Sequence, residues 1–296
     1  MPWQQLTLQT TQKDTESLSD LLTELGASAV TCMDAEDHPL LEPGPGETPL
    51  WPTVTLTALF ELQINSESVI NSLHTQYDEQ LSVSCSILED QDWERVCMDQ
   101  FQPMSFGQHL WIVPSWHEPP EPQACNILLD PGLAFGTGSH PTTALCLKWL
   151  DRHPPEQHSV IDYGCGSGIL AIAADKLGAT SVTAIDNDPQ ALIACQENSR
   201  RNHSPINTAL PEQLSLQPVD LLLANILANP LVRLSADIAK RVKTGGYIVL
   251  SGILNEQQSL IIEAYTLQGF QNFQITEDAG WLCLSAQKKD LSEKSK

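Results

Sequence analysis

Polar and apolar residues alternate from Trp3 to Gln9, the period of a strand with one buried face. Leu18, Leu21, Leu22 and Leu25 then recur at helical spacing until Gly26, and a second short strand is expected over 27–32. A loop rich in Pro and Gly follows, from Pro39 to Pro52. The order then repeats: strand 54–62, helix 67–77, strand 81–88. Strand-helix-strand twice over is the split pattern of a ferredoxin-like α+β domain, expected over residues 1–90. That fold hosts many functions, so it alone assigns none.

Trp93, Val96 and Cys97 stand at helical spacing within 92–100 and predict a short connecting helix in a linker over 91–104. Beyond a strand at 110–113 and a proline-rich loop, a helix is expected from Pro141. Strands at 159–163, 181–186, 219–224 and 247–251 then alternate with helices at 169–177, 189–202, 229–242 and 256–267. Two last strands, 273–276 and 281–286, close the pattern. Such alternation requires right-handed crossovers and gives an α/β fold with a doubly wound, mostly parallel Rossmann-like sheet, expected over 105–287. Ligands of such sheets sit at the carboxyl ends of the strands, where strand order reverses. Residues 288–296, rich in Lys, read as a mobile tail.

Composition narrows the partners. The hydrophobic fraction of 41% is that of a folded protein. The formal charge is −22, and residues 1–90 hold fifteen acids against one base, Lys13. A front of that sign repels nucleic-acid backbones and attracts basic partners; the plainer reading is a solvated acidic surface. The eight cysteines form no CxxC pair and no Cys/His ligand spacing, so no metal site is expected. No secretory leader follows Met1 and no apolar run is long enough for a membrane helix, which points to the cytoplasm.

Candidate chemistry concentrates in four segments. Val160-Ile161-Asp162-Tyr163-Gly164-Cys165-Gly166-Ser167-Gly168 runs a hydrophobic strand into a glycine turn and then a helix. Glycine is expected where the turn takes positive φ and where a ligand lies against bare backbone. The third glycine comes one residue early for a dinucleotide turn, which suits a nucleoside carrying an amino-acid tail. Asp186 ends the next strand, 22 residues beyond Gly164, where an acid accepts ribose hydroxyls. Its alternative role as a helix cap falls more naturally to Asp188 before Pro189. Asn225 stands at the carboxyl end of the strand after that, facing cofactor and acceptor; the alternative is a turn Asn, a part better suited to Asn229 before Pro230. The fourth segment, Asp130-Pro131-Gly132-Leu133-Ala134-Phe135-Gly136-Thr137-Gly138-Ser139-His140-Pro141-Thr142-Thr143, is a loop able to fold over a ligand. His140 within it is either a base or a helix cap.

Together these segments resemble the class I S-adenosylmethionine-dependent methyltransferases and, more narrowly, the family of ribosomal protein L11 methyltransferases (PrmA type). The glycine turn is common to many methyltransferases, whereas the loop from Asp130 to Thr143 and the Asn225-Ile226-Leu227-Ala228 segment carry the narrow resemblance. One departure is Ser139, where Thr is usual before His-Pro; both residues carry a hydroxyl. The resemblance implies methylation of amino groups, the N-terminal amine and lysine side chains, of a basic large-subunit ribosomal protein gripped by the N-terminal domain. By resemblance Thr143, Gly164, Asp186 and Asn225 contact S-adenosylmethionine. Gly166 in the turn and Phe135 and Thr137 in the loop are expected beside them, with Asn225 also positioning the acceptor amine and His140 a candidate base. The rival readings are methylation of RNA or a small molecule, nicotinamide-dependent oxidoreduction, and cofactor binding without catalysis. Net acidity disfavours RNA, and the glycine spacing disfavours a nicotinamide.

Overall fold

A computed structural model describes residues 2–36, 50–77, 81–89, 101–130, 138–213 and 217–289. The chain divides into two compact units, residues 1–96 and 97–296.

The first unit runs β1 (Trp3–Thr11), α1 (Thr15–Glu24), β2 (Ala29–Asp34), β3 (Thr53–Glu61), α2 (Ser66–Gln76) and β4 (Val83–Leu88). Its sheet has the order β2-β3-β1-β4 with every neighbouring pair antiparallel, the ferredoxin-like arrangement. Register follows the hydrophobic alternation: Leu6 faces Ala58 and Leu8 faces Leu56 across β1 and β3. These four side chains share one core with Leu18 and Leu22 of α1 and Val69 and Leu73 of α2. Gly26, at φ 101°, follows the last residues of α1, and Asn65 starts α2 by accepting the Ser68 N–H at 3.1 Å.

The second unit opens with a small sheet of β5 (Met104–Phe106), β6 (Leu110–Val113) and β7 (Cys125–Leu128). Then follow α3 (Pro141–Arg152), β8 (Ser159–Tyr163), α4 (Ile169–Lys176), β9 (Ser181–Ile185), α5 (Pro189–Arg201), β10 (Asn207–Ala209), β11 (Val219–Asn225), α6 (Ala228–Lys240), β12 (Val242–Leu254), α7 (Gln258–Leu267), β13 (Phe270–Asp278) and β14 (Trp281–Lys288). The main sheet has the order β10-β9-β8-β11-β12-β14-β13. Strands β8 to β12 are parallel, and β14 is inserted antiparallel between β12 and β13. Order reverses between β8 and β11, so the ligand crevice is expected there. Alternate residues face opposite cores: Val160, Leu221 and Leu223 on one side, Ile161, Leu222 and Ala224 on the other. Burial on both faces explains why these strands read as unbroken apolar runs.

The structure departs from the sequence expectation in several places. Strands β5, β7 and β10 were not expected; they have three, four and three residues, too short for a period to show. Helix α6 starts at Ala228 from Leu227 with no side-chain cap, so Asn229 caps nothing. Strand β14 reaches Lys288, whose Nζ donates to the carbonyls of Ala239 and Val242, which takes the ordered sheet into the expected tail. The connecting helix expected over 92–100 and the tail beyond 289 lie outside the described residues. Among the described residues no helix is long and apolar enough to cross a membrane.

Candidate functional site

The glycine turn is tied to β9 before it meets any ligand. The N–H groups of Gly164 and Cys165 both donate to the Ile185 carbonyl, at 2.7 and 2.9 Å, and Gly168 donates back to Cys165 at 2.8 Å. Gly164, Gly166 and Gly168 have φ of 80°, 51° and 79°, a region that favours glycine. The space beside two of them is filled by the chain itself. A Cβ at Gly164 would lie 2.3 Å from Cγ2 of Ile226, and one at Gly168 would lie 2.5 Å from Sγ of Cys195. The Cβ side of Gly164 therefore faces Ile226, so a side chain there is excluded by the protein itself.

Asp186 follows β9 and ties the turn down. Its Oδ2 accepts the Gly166 N–H at 3.0 Å and its Oδ1 accepts the Asp188 N–H at 3.0 Å. The side chain is half-buried, and each oxygen keeps a second lone pair for a hydroxyl donor. Asp188 is the cap of α5, accepting the Gln190 N–H at 2.9 Å with Pro189 at the first helical position. Capping is thus the part of Asp188, while Asp186 fixes the turn.

Asn225 ends β11 and donates from Nδ2 to Oγ1 of Thr143 at 3.1 Å. Thr143 is fully buried in the first turn of α3. The segment after Asn225 is held by glycines on two sides: a Cβ at Gly252 of β12 would lie 2.3 Å from the Ile226 carbonyl oxygen. Ile226 thus packs its side chain on Gly164 and its backbone on Gly252, joining the carboxyl end of β11 to the glycine turn. Gly252 also interrupts the β12–β14 register, between Ser251 and Ile253.

His140 caps α3. Its Nδ1 accepts the Thr142 N–H at 3.3 Å and lies 2.8 Å from Oγ1 of Thr142, while its ring meets Trp281 edge-on at 5.1 Å. Partial burial holds its pKa below the ordinary imidazole value. Phe135 and Thr137 lie in 131–137, outside the described residues. Both flanks of that segment are anchored. Asp130 accepts the Ser115 N–H at 2.7 Å and pairs with Arg201, and Gly138 packs near Phe106, Ile112 and Ile169.

Asp162 was quoted in the motif without a part of its own. It is 1% exposed at the end of β8, and its Oδ2 accepts the Ala171 N–H from α4 at 3.0 Å. Its Oδ1 is buried and has no hydrogen-bond partner among the described residues. Burial, and then the neighbouring Asp186, raise its pKa to about 7. A lone acid inside the apolar strand Val160-Ile161-Asp162-Tyr163 was the signal available in the sequence. No such signal existed for Ile226 or Gly252, whose importance depends on which strands adjoin. Among the described residues no three His, Cys, Asp or Glu side chains are grouped to hold a metal ion.

The turn region offers a carboxylate with spare lone pairs, a tight turn beside a helix start and, in Asp162, a buried acid oxygen with no donor among the described residues. Gly164, Gly166 and Asp186 form the turn, and Ile226, packed on Gly164, joins it to Asn225 and through Asn225 to Thr143.

Comparison with known proteins agrees with this geometry. A family model described as ribosomal protein L11 methyltransferase (PrmA) matches residues 2–289. The ribosomal protein L11 methyltransferase of Marinobacter nauticus is 47% identical over 298 residues, 98% of this chain and 100% of the relative. That of Nitrosococcus oceani is 51% identical over 269 residues, 90% of this chain and 92% of the relative. A crystal structure of ribosomal protein L11 methylase from Lactobacillus delbrueckii subsp. bulgaricus matches at 35% identity with a TM-score of 0.58, covering 64% of this chain and 100% of that one.

Proposed function

The chain belongs to the ribosomal protein L11 methyltransferase (PrmA) family, and on that premise we propose that it methylates amino groups of ribosomal protein L11 with S-adenosylmethionine as donor. The observation that carries this reading is the match over residues 2–289, which includes the loop, the glycine turn and the Asn225 segment. When bound, S-adenosylmethionine supplies a methyl group on a sulfonium, an electrophile with its leaving group already in place.

The protein's own task is then alignment and desolvation. Asp186 accepts the ribose hydroxyls while its bonds to the Gly166 and Asp188 N–H groups fix its direction. Gly164 and Gly166 shape the turn against the amino-acid tail. Asn225, braced by Thr143, positions the acceptor amine at the mouth of the crevice. A lysine amine, with an ordinary pKa of about 10.4, has to arrive unprotonated, and a partly dry pocket favours that form. Nδ1 of His140 is committed to the α3 cap, so we assign proton removal to solvent in preference to His140. Phe135 and Thr137 complete the cofactor contacts from the covering loop.

The acidic unit at the front, with fifteen acids against one base in residues 1–90, is the proposed grip on the basic substrate, in the cytoplasm where ribosomal proteins are made. The assignment is tested by offering methyl-labelled S-adenosylmethionine and a mixture of ribosomal proteins to the enzyme. Label is expected on L11; label on RNA or on other proteins with none on L11 overturns the substrate.

A further inference from the structure

A cavity of about 580 Å³ lies at the other end of the main sheet from the glycine turn. Asp220 and Leu221 on its wall start β11, the strand that Asn225 ends, which puts about 13 Å of strand between Leu221 and Asn225. Trp149 and His153 on its wall stand at the end of α3, whose first turn holds Thr143. Their rings stack with centroids 4.6 Å apart and planes 24° apart, and Nδ1 of His153 donates to the Trp149 carbonyl at 3.0 Å, so this aromatic wall is fixed. Nε1 of Trp149 is buried and has no acceptor among the described residues. An indole N–H can only donate, and a buried donor left without an acceptor costs free energy. Across the cavity, β13 has one residue more than β14 between Gln271 and Gln274, and Asn272 in that bulge takes φ 58°, a conformation that asparagine tolerates better than most residues. Asn272 and Gln274 both reach the cavity, and their amides have no partner among the described residues. Asp220 is the one Asp, Glu, Lys or Arg on the wall, and it is matched by Lys243 at 2.8 Å and by the Ser159 hydroxyl and N–H at 2.6 and 2.9 Å.

We propose that this cavity is a second small-molecule site, and that its ligand is a neutral planar heterocycle with a carbonyl beside a ring N–H, the edge that uracil and hypoxanthine present. The carbonyl supplies the acceptor that the Trp149 N–H lacks, and the ring lies against the Trp149–His153 wall. The amides of Asn272 and Gln274 each offer a donor and an acceptor, which suits the paired N–H and C=O of such an edge. Leu221 and Pro155 add apolar surface, the usual composition of a small-molecule site with a few polar groups that fix orientation. With Asp220 already matched, the wall holds no unpaired carboxylate, ammonium or guanidinium to recruit a charged ligand, which separates this site from one for a cation or a phosphate. The inference stands on the cavity alone and does not depend on the cofactor reading above.

The test is nitrogen–proton NMR of the full chain titrated with uracil and with hypoxanthine into the millimolar range, reading the indole N–H signals of its seven tryptophans. The signal that disappears in Trp149→Phe is that of Trp149. At least one of the two heterocycles is expected to move it saturably, together with the side-chain amides of Asn272 and Gln274. Toluene, a planar ring with no acceptor, should bind about tenfold more weakly or not at all, the worth of one hydrogen bond to a buried donor. Gln274→Ala, a change at an exposed position, should weaken the heterocycle about three- to tenfold while leaving the Trp149 signal of the free protein in place. Repeating the titration with excess S-adenosylmethionine should leave the heterocycle's affinity within about twofold, as for two separate sites. A Trp149 signal unmoved by both heterocycles overturns the proposal. Toluene binding as well as they do contradicts the ligand class, and competition by S-adenosylmethionine places the heterocycle in the cofactor's crevice instead; each of these results also sinks the proposal. Should Trp149→Phe fail to fold, Gln274→Ala and the toluene comparison still decide it.

Discussion

Asp186 accepts two backbone N–H groups and still presents lone pairs to the crevice, so its removal costs ligand hydrogen bonds as well as local order. Asp186→Ala is predicted to weaken S-adenosylmethionine binding by about 1.5–3 kcal/mol, the worth of charge-assisted bonds, read by calorimetry. Gly252 acts at one remove. A methyl there would meet the Ile226 carbonyl at 2.3 Å, on a backbone of φ 81°, and would push Asn225 out of register. Gly252→Ala is predicted to slow methyl transfer by about 10- to 100-fold, as small misplacements do, with a smaller loss of cofactor affinity because Asp186 keeps its bonds to the turn. Equal losses in both would assign Gly252 to folding alone. Asp162 also sets the pH response of the empty protein. Its folded pKa of about 7 is raised above the unfolded value, so the folded state keeps a proton that the unfolded chain loses. Stability is lost as pH rises from about 4 to 7, by up to roughly 4 kcal/mol. Asp162→Asn is therefore predicted to melt higher than wild type at pH 8, with the gap closing towards pH 4; a gap independent of pH would contradict this. Asp186 and Asn225 could be singled out in the sequence because each sits at a strand end, and the structure places Asp186 against the glycine turn and Asn225 against Thr143. Ile226 and Gly252 could not, because the need for a missing Cβ arises only once β8, β11 and β12 lie side by side.

At the scale of elements, long periodic segments were legible and short ones were not. Strands β8, β9 and β11 announced themselves as apolar runs between helical stripes. Strands β5 and β7 did not, although β7 leads directly to Asp130. Asn202, 4% exposed at the end of α5, shows how β7 is held. It donates to the Leu128 and Asn198 carbonyls at 2.7 and 2.9 Å and accepts the Leu128 N–H at 2.8 Å, fastening α5 to β7 just ahead of Asp130. Asn202→Ala leaves a buried strand N–H and two carbonyls without these partners and is predicted to cost about 2–4 kcal/mol, read as a lower denaturant midpoint with an unchanged slope. A loss under 1 kcal/mol would mean that β7 is held by its pairing with β6 alone. The cap of α6 differs for a related reason: Asn before Pro resembles a cap, but the chain turns into the helix at Leu227, two residues too soon for Asn229.

At the scale of the whole molecule the charge of −22 is weighted towards residues 1–90, which hold fifteen acids against one base. Opposite charge on a substrate speeds encounter, and salt screens it over about 8–10 Å at ordinary ionic strength. Association with L11 is predicted to slow several-fold between 50 and 300 mM salt, measured by stopped flow; a flat response would reduce the front charge to solubility. The central claim joins the crevice to the substrate, and intact mass of purified L11 after incubation with S-adenosylmethionine tests it most directly. With wild-type enzyme the mass should rise in whole methyl steps located on amines, and with Asp186→Ala at limiting cofactor the steps should largely vanish. An unchanged L11 mass while the enzyme demonstrably binds the cofactor would contradict the account.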